Sequence, residues 1–425
     1  KDVAMLQVLS NTWALLLGMF LLMIGNGLQG TLLGVRGEIE GFSNLEMSIV
    51  MSAYFVGFLG ASRVVPEMIR RVGHVRVFAA LGSFVSAVLI LYPAIPHPVA
   101  WAIGRAIIGF SFCGVYVTAE SWLNNGASNE NRGQALSLYM VVQMIGIVSA
   151  QGMLLLADPS GYILFVVISV LVSISFAPIL LSISPTPAFE ATKPMRLMEL
   201  IRVSPLGSVG MFLLGGIFAA QFGMAAIYGS QIGLSLSEIS AFVASFYVGA
   251  MLLQYPIGWV SDRMDRRFLI VICAAIGGAA SLLAILTGGN YYALLVAAFF
   301  VGGMSNPLYS LLIAHTNDFL EYEDMAAASA GLLFLNGIGA IAGPLIIGFM
   351  METIGPVGFF LFIAVLLGIM GLYGAYRMTQ RPAIAADDTS SYTPVAPTAS
   401  PVLVEIAQEY DIEVAIEEET TQEQP

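Results

Sequence analysis

The sequence predicts an all-α membrane protein, with twelve transmembrane helices in two six-helix pseudo-symmetric bundles. Three observations predict it. Apolar runs of spanning length recur along the 425 residues, the second six echo the first six at a nearly constant offset, and the basic residues gather on one face. Hydrophobic residues make up 58% of the chain, charged residues only 10%, and the mean hydropathy is +0.85. A soluble domain needs more charge than that to cover its surface, so the solvent here is largely lipid.

A helix crosses the hydrocarbon layer in about 20 residues. Runs of that kind are expected at 12–35, 45–66, 75–94, 98–122, 134–157 and 161–182, then at 206–230, 238–260, 268–288, 291–315, 328–350 and 355–377. The first run is too long for a signal-peptide core and lacks a cleavage pattern, which predicts a retained helix. The missing initial Met points to a trimmed start. The domain plan is a first bundle over 1–183, a Pro- and charge-bearing central loop over 184–205, a second bundle over 206–377 and a tail over 378–425. The tail is rich in Asp, Glu, Thr, Ser and Pro, which reads as disordered. Within it, Val402 to Ile416 has an amphipathic helical alternative.

From Pro382 to Pro425 there are ten acidic and no basic residues, so the tail carries most of the net charge of −12. The acidity therefore says nothing about a solute. With both termini on one side, fourteen of the sixteen basic residues fall on that side, all but Arg36 and Arg105. Cytoplasmic connections collect Lys and Arg, so both ends and the central loop are expected in the cytoplasm of a bacterial-type cell, with the bundles in its inner membrane.

Cys113 and Cys273 lie in apolar runs and read as small hydrophobes. Nothing suggests a disulfide, a metal site, a cofactor or a nucleic-acid partner. A phosphate-binding loop is missing, which argues against direct ATP drive. No paired carboxylates or nucleophile triad appear in the polar segments, so an enzyme is not expected. A monomer is expected.

Ser52-Ala53-Tyr54-Phe55-Val56-Gly57 aligns with Ala244-Ser245-Phe246-Tyr247-Val248-Gly249 at a shift of 192. The same shift sets Gln29 on Gln221 and Arg70-Arg71 on Asp262-Arg263, and Gly146 meets Gly339 at 193. Two like-oriented bundles related by an axis along the membrane normal place a site at their interface near mid-membrane. Rocking of one bundle on the other alternates access to it. This is the physical reason to expect a carrier.

After the eighth span comes Gly258-Trp259-Val260-Ser261-Asp262-Arg263-Met264-Asp265-Arg266-Arg267. It resembles the loop signature of the major facilitator superfamily, Gly-x-x-x-Asp-Arg-x-Gly-Arg-Arg, with Asp265 in place of the second Gly. The first-half copy is degraded, with Pro66, Arg70 and His74 at signature positions while Arg71 and Gly73 remain; Glu67 is the candidate for the missing carboxylate. The resemblance spans about residues 12–377, and within the superfamily it is nearest to the bacterial YcaD-like branch, which fixes no substrate. It implies the superfamily fold and a latch between the halves, made from loop arginines and carboxylates at the ends of the fourth and tenth helices. Glu67, Arg71, Glu120, Asp262, Arg263, Arg266 and Asp318 are the latch candidates. Glu120 is expected on Arg71 or a neighbour, with proton coupling as its alternative.

The fourth span opens Arg105-x-x-x-Gly109, resembling the family's Arg-x-x-x-Gly-x-x-x-Gly pattern with one extra residue before Gly114. Arg105 lies about 9 Å in from the outer end at helical rise. A charge there usually faces a polar cavity. Guanidinium offers a bidentate fork to carboxylate or phosphate, and the competing reading is a side chain snorkelling outward. Asn26, Gln29, Tyr116, Gln143, Gln221, Tyr228, Tyr247, Gln254, Asn306, Tyr309 and Asn336 fall in spans that line the cavity in this family. Amides facing lipid would be costly, so these face protein or water; substrate contact and helix-to-helix bonding both remain open for each. Gly339-x-x-x-Gly343-Pro344 falls in the eleventh span rather than the fifth, which weakens a drug-antiporter reading.

The expected activity is secondary transport of a small polar or anionic organic solute by alternating access. Efflux of amphipathic compounds and a non-transporting sensor or assembly role are the rivals. The expected partners are the solute, the bilayer and an unassigned coupling ion, proton or sodium.

Overall fold

The computed structural model describes residues 2–126, 132–181 and 195–380, with 392, 394–395, 403–404 and 406–407. In lipid a helix satisfies its backbone within one segment, and twelve helices long and apolar enough to cross a membrane result. They are α1 (Asp2–Ile39), α2 (Asn44–Val72), α3 (His74–Ala94), α4 (Pro98–Gly126), α5 (Arg132–Met153) and α6 (Ile163–Leu181). The second six are α7 (Pro205–Gln231), α8 (Leu236–Ser261), α9 (Arg266–Leu286), α10 (Tyr291–Asn317), α11 (Tyr322–Ile354) and α12 (Val357–Met378). Each coincides with an expected span, although α1, α2, α4 and α11 run beyond theirs by four residues or more. A short helix, Leu197–Val203, occupies the described part of the central loop; residues 184–194 lie outside the described residues.

The halves repeat in packing as well as in sequence. In the first, α2 packs on α4, α1 on α5 and α6, and α3 on α4 and α6; in the second, α8 packs on α10, α7 on α11 and α12, and α9 on α10 and α12. The crossing points repeat too. A Cβ added at Gly57 would lie 1.9 Å from the Ala106 carbonyl oxygen, and one at Gly109 would lie 1.9 Å from that of Tyr54. Their counterparts Gly249 and Gly302 meet the carbonyl oxygens of Phe299 and Phe246 at 1.9 and 2.0 Å. Small residues let backbones approach this closely.

The helix caps obey the same register. Ser43 with Glu46 and Ser235 with Glu238 each form a capping box, which satisfies two orphan backbone donors reciprocally. At the start of the third helix of each half the solutions differ. Gly73 turns the chain at φ 85°, a region that favours glycine. Its counterpart Asp265 sits at φ −56° and caps α9 through the Arg267 amide, which explains why a signature glycine is dispensable there.

The halves meet where α1 packs on α7, α2 on α11 and α5 on α8. At the end where α2 and α8 begin, the amide of Gln231 reaches Asn44. Ser240 Oγ donates to the Gln151 carbonyl at 2.5 Å, and Ser52 Oγ to that of Ile341 at 2.7 Å. The α2–α11 seam runs on to Leu59 against Gly337 and to Arg63, whose guanidinium lies 4.8 Å over the Phe334 ring. Arg36, one of the two basic residues outside the main cluster, pairs with Glu40 at 2.6 Å and binds the carbonyls of Pro159, Ser160 and Gly161. It thereby ties α1 to the α5–α6 connection.

Most of the tail, expected to be a solvated, disordered chain, lies outside the described residues. Tyr392, Val395, Leu403, Val404, Ile406 and Ala407 are all buried, because these apolar side chains are withdrawn from water onto the bundle.

Candidate functional site

Four of the expected site residues form one hydrogen-bonded chain in the first half. Arg105 of α4 donates from Nη1 to Gln29 Oε1 at 3.0 Å, Gln29 donates to Asn26 Oδ1 at 3.1 Å, and Asn26 donates to Tyr116 Oη at 3.0 Å. Asn26 and Gln29 are three apart on α1 and so share a face; Arg105 and Tyr116 are three turns apart on α4. The guanidinium lies 4.7 Å over the Tyr54 ring and 3.6 Å from Met51 Sδ. Only 4% of Arg105 is exposed, which rules out the snorkelling alternative.

The energetics leave this arginine undercompensated. A hydrogen bond to a charged group is worth about 2 kcal/mol and a desolvated cation–π contact about 2 kcal/mol, against a burial penalty of several kcal/mol for a single ion. Arg105 has no carboxylate partner among the described residues, and its Nε–H has no acceptor. The arrangement is suited to receiving an anion.

Across the interface lies a short π-helical turn, Ala220–Met224, inside α7. Such turns break the α-helical ladder and often mark functional sites. Gly30 of α1 approaches the Phe222 carbonyl, and Gly223 approaches Met51, the residue beside Arg105. Gln221, on this turn, donates to Ser305 Oγ at 2.8 Å and keeps Oε1 without a donor. Asn306 donates to the Gly302 carbonyl and likewise keeps Oδ1 without a donor. An aromatic stack follows: Phe218 on Phe222 with centroids 5.7 Å apart, then Phe222 on Tyr247 at 5.5 Å, with Tyr309 tilted against Phe218.

Not every expected residue joins this group. Tyr228 stacks on Phe359 at 4.8 Å and packs against Phe242 and Phe360, an aromatic cluster within the second half. Asn336 donates to the Met211 carbonyl and braces α11 on α7. Gln143 is buried in α5. Met51, Tyr54, Ser305 and the π-helical turn were not foreseen. Tyr54 alone carried a signal, since it occupies the repeated stretch where its counterpart is Phe246.

Several latch candidates have a partner within their own half. Arg71 and Arg70 both bind Glu67, at 2.6 and 2.8 Å, and are exposed, so the pairs contribute little. Glu120 is fully buried and accepts from Tyr139 Oη at 3.2 Å. Arg266 and Asp318 make a buried ion pair, with Asp262 3.9 Å from Arg266, and Arg263 stacks 4.1 Å over Trp259. Burial pushes the Asp262 carboxyl above the usual aspartate value, and the Tyr392 amide and Arg266 pull it the other way.

Two like-oriented six-helix bundles, with buried polar groups where they meet, define a polytopic membrane protein of the transporter class. The chain belongs to the Major Facilitator Superfamily, whose family model matches residues 15–232 and 206–403. It is 23% identical over 354 residues to the MFS-type transporter YcaD of Salmonella arizonae, covering 82% of this chain and 91% of that protein. The fold is similar to the crystal structure of the nucleoside transporter NupG, with a TM-score of 0.70, 14% identity, and coverage of 87% of this chain and 98% of that one. It is also similar to a bacterial homologue of the human lysosomal transporter Spinster in an inward-facing, unoccupied conformation. There the TM-score is 0.64 at 14% identity, over 96% of this chain and 95% of that one.

Proposed function

We propose that this chain is a secondary transporter that moves a small organic anion across a bacterial inner membrane by alternating access, with both termini cytoplasmic. One observation carries the reading: the buried, carboxylate-free guanidinium of Arg105, held by Gln29 and Tyr54 beside the seam between the halves. A carboxylate or phosphate on the solute supplies the missing countercharge. The stacked Phe218, Phe222 and Tyr247 favour a solute with a planar or apolar body, which also accommodates amphipathic compounds. Direction of transport and coupling ion are separate questions that the same assay addresses.

The test is a panel of organic anions, cations and neutral solutes on purified, reconstituted protein, scored first by thermal stabilisation and then by flux. Anions are expected to raise the melting temperature, and Arg105→Gln to abolish both that rise and the flux. Anion affinity retained in the Gln variant overturns the anchoring role.

A further inference from the structure

The C-terminal segment is seated on the residues that make up the loop signature. The Tyr392 ring lies against Gly258, the first signature position, so closely that a Cβ there would come within 2.6 Å of ring carbons. The Tyr392 amide donates to Oδ1 of Asp262, the acidic signature position, at 3.0 Å. Gln254 Nε2 donates to Tyr392 Oη at 3.1 Å and reaches Ser310 Oγ at 3.4 Å. Ser310 in turn accepts from the Val395 amide at 2.9 Å and faces the Val395 carbonyl at 3.3 Å. Backbone and side chain of the tail are thus both bonded, to α8 and to α10 together.

The seat continues the cleft. On α8, Tyr247, Gln254 and Gly258 recur at helical spacing along one face, and on α10 Asn306 and Ser310 do the same. Tyr247 stacks on Phe222 of the π-helical turn at 5.5 Å. The segment therefore sits where these two faces run toward the signature loop. Further along, Leu403, Val404, Ile406 and Ala407 are helical and buried, as an amphipathic stripe requires.

We propose that the tail acts as a built-in plug through the described residues Tyr392 and Val395. The segment docks in the α8–α10 groove, clamps the loop signature through Gly258 and Asp262, and closes that end of the cleft until it is released.

The test reads accessibility and uses the full chain, with Cys113→Ala and Cys273→Ala removing the natural thiols. Ser310→Cys is the reporter, labelled by a membrane-impermeant maleimide in inside-out vesicles, and Thr379→Cys at the exposed end of α12 sets the unhindered rate. With the native tail, Ser310→Cys is expected to label at least tenfold more slowly than Thr379→Cys. Adding Tyr392→Asp and Val395→Asp is expected to speed the Ser310→Cys reaction at least tenfold and leave Thr379→Cys unchanged. Equal Ser310→Cys rates with native and doubly substituted tails overturn the plug. Thermal melting of each variant confirms that the bundle is folded before rates are compared. No solute enters this assay, so a failed plug leaves the anion reading standing, and a failed anion panel leaves the plug.

Discussion

At the residue scale, the asymmetry of the two halves locates the chemistry. Gln29 and Gln221 are repeat partners, yet Gln29 accepts from Arg105 while Gln221 donates to Ser305, because the second half has no arginine at the corresponding place on α10. Supplying the missing carboxylate in the protein itself should therefore fill the site. Gln29→Glu is expected to preserve folding and to weaken anion binding at least tenfold, measured by loss of anion-induced thermal stabilisation. Full stabilisation in that variant shows that Arg105 does not recognise the anion. Asn26, Gln29, Arg105 and Tyr116 were legible in the sequence because polar side chains in a spanning run have to face something other than lipid. Tyr54 and Met51 were not, since an aromatic or thioether side chain in an apolar helix is indistinguishable from packing. The Tyr228 ring belongs to an aromatic cluster with Phe242, Phe359 and Phe360.

At the element scale, the repeat was legible because helix crossings demand glycine at fixed places. Gly57 and Gly109 at one crossing and Gly249 and Gly302 at the other each face a carbonyl oxygen. Gly109→Ala and Gly302→Ala are each expected to cost about 1–3 kcal/mol as overpacking. The measurement is thermal or denaturant unfolding in detergent. Gly60→Ala, which meets nothing within 4 Å, is the neutral control; equal stability of all three would show that the crossings are looser than described. The cap on α9 gives a second case. Asp265→Ala removes the acceptor of the Arg267 amide and its ion pair, and is expected to lose about 1 kcal/mol, as capping residues do. The π-helical turn at 220–224 was not legible, since Ala-Gln-Phe-Gly-Met carries no marker that separates it from an α-helix. The docked tail was hidden for a different reason: its composition is that of a solvated chain, and the apolar positions that bury are spaced among acids.

At the scale of the whole molecule, the contacts between halves define, on the proposed alternating-access reading, one of two conformations. At the end where α2 and α8 begin, Asn44 meets Gln231, Gln151 meets Ser240, and Ser48 closes on Gly348. At the signature end, Arg70 and Arg71 pair with Glu67, Arg266 with Asp318 and Arg267 with Asp265. Rocking of one bundle on the other has to break the first set before the cleft can open on that face. Cross-linking Asn44→Cys to Gln231→Cys with a short, reducible bis-thiosulfonate, in the chain lacking its natural thiols, is expected to hold that seam shut. The cross-linked protein should keep its fold and lose at least nine-tenths of its flux for any solute the panel returns, and reduction should restore it. Undiminished flux with the cross-link fully formed would mean that these contacts persist through the cycle, and alternating access about this seam would have to be abandoned.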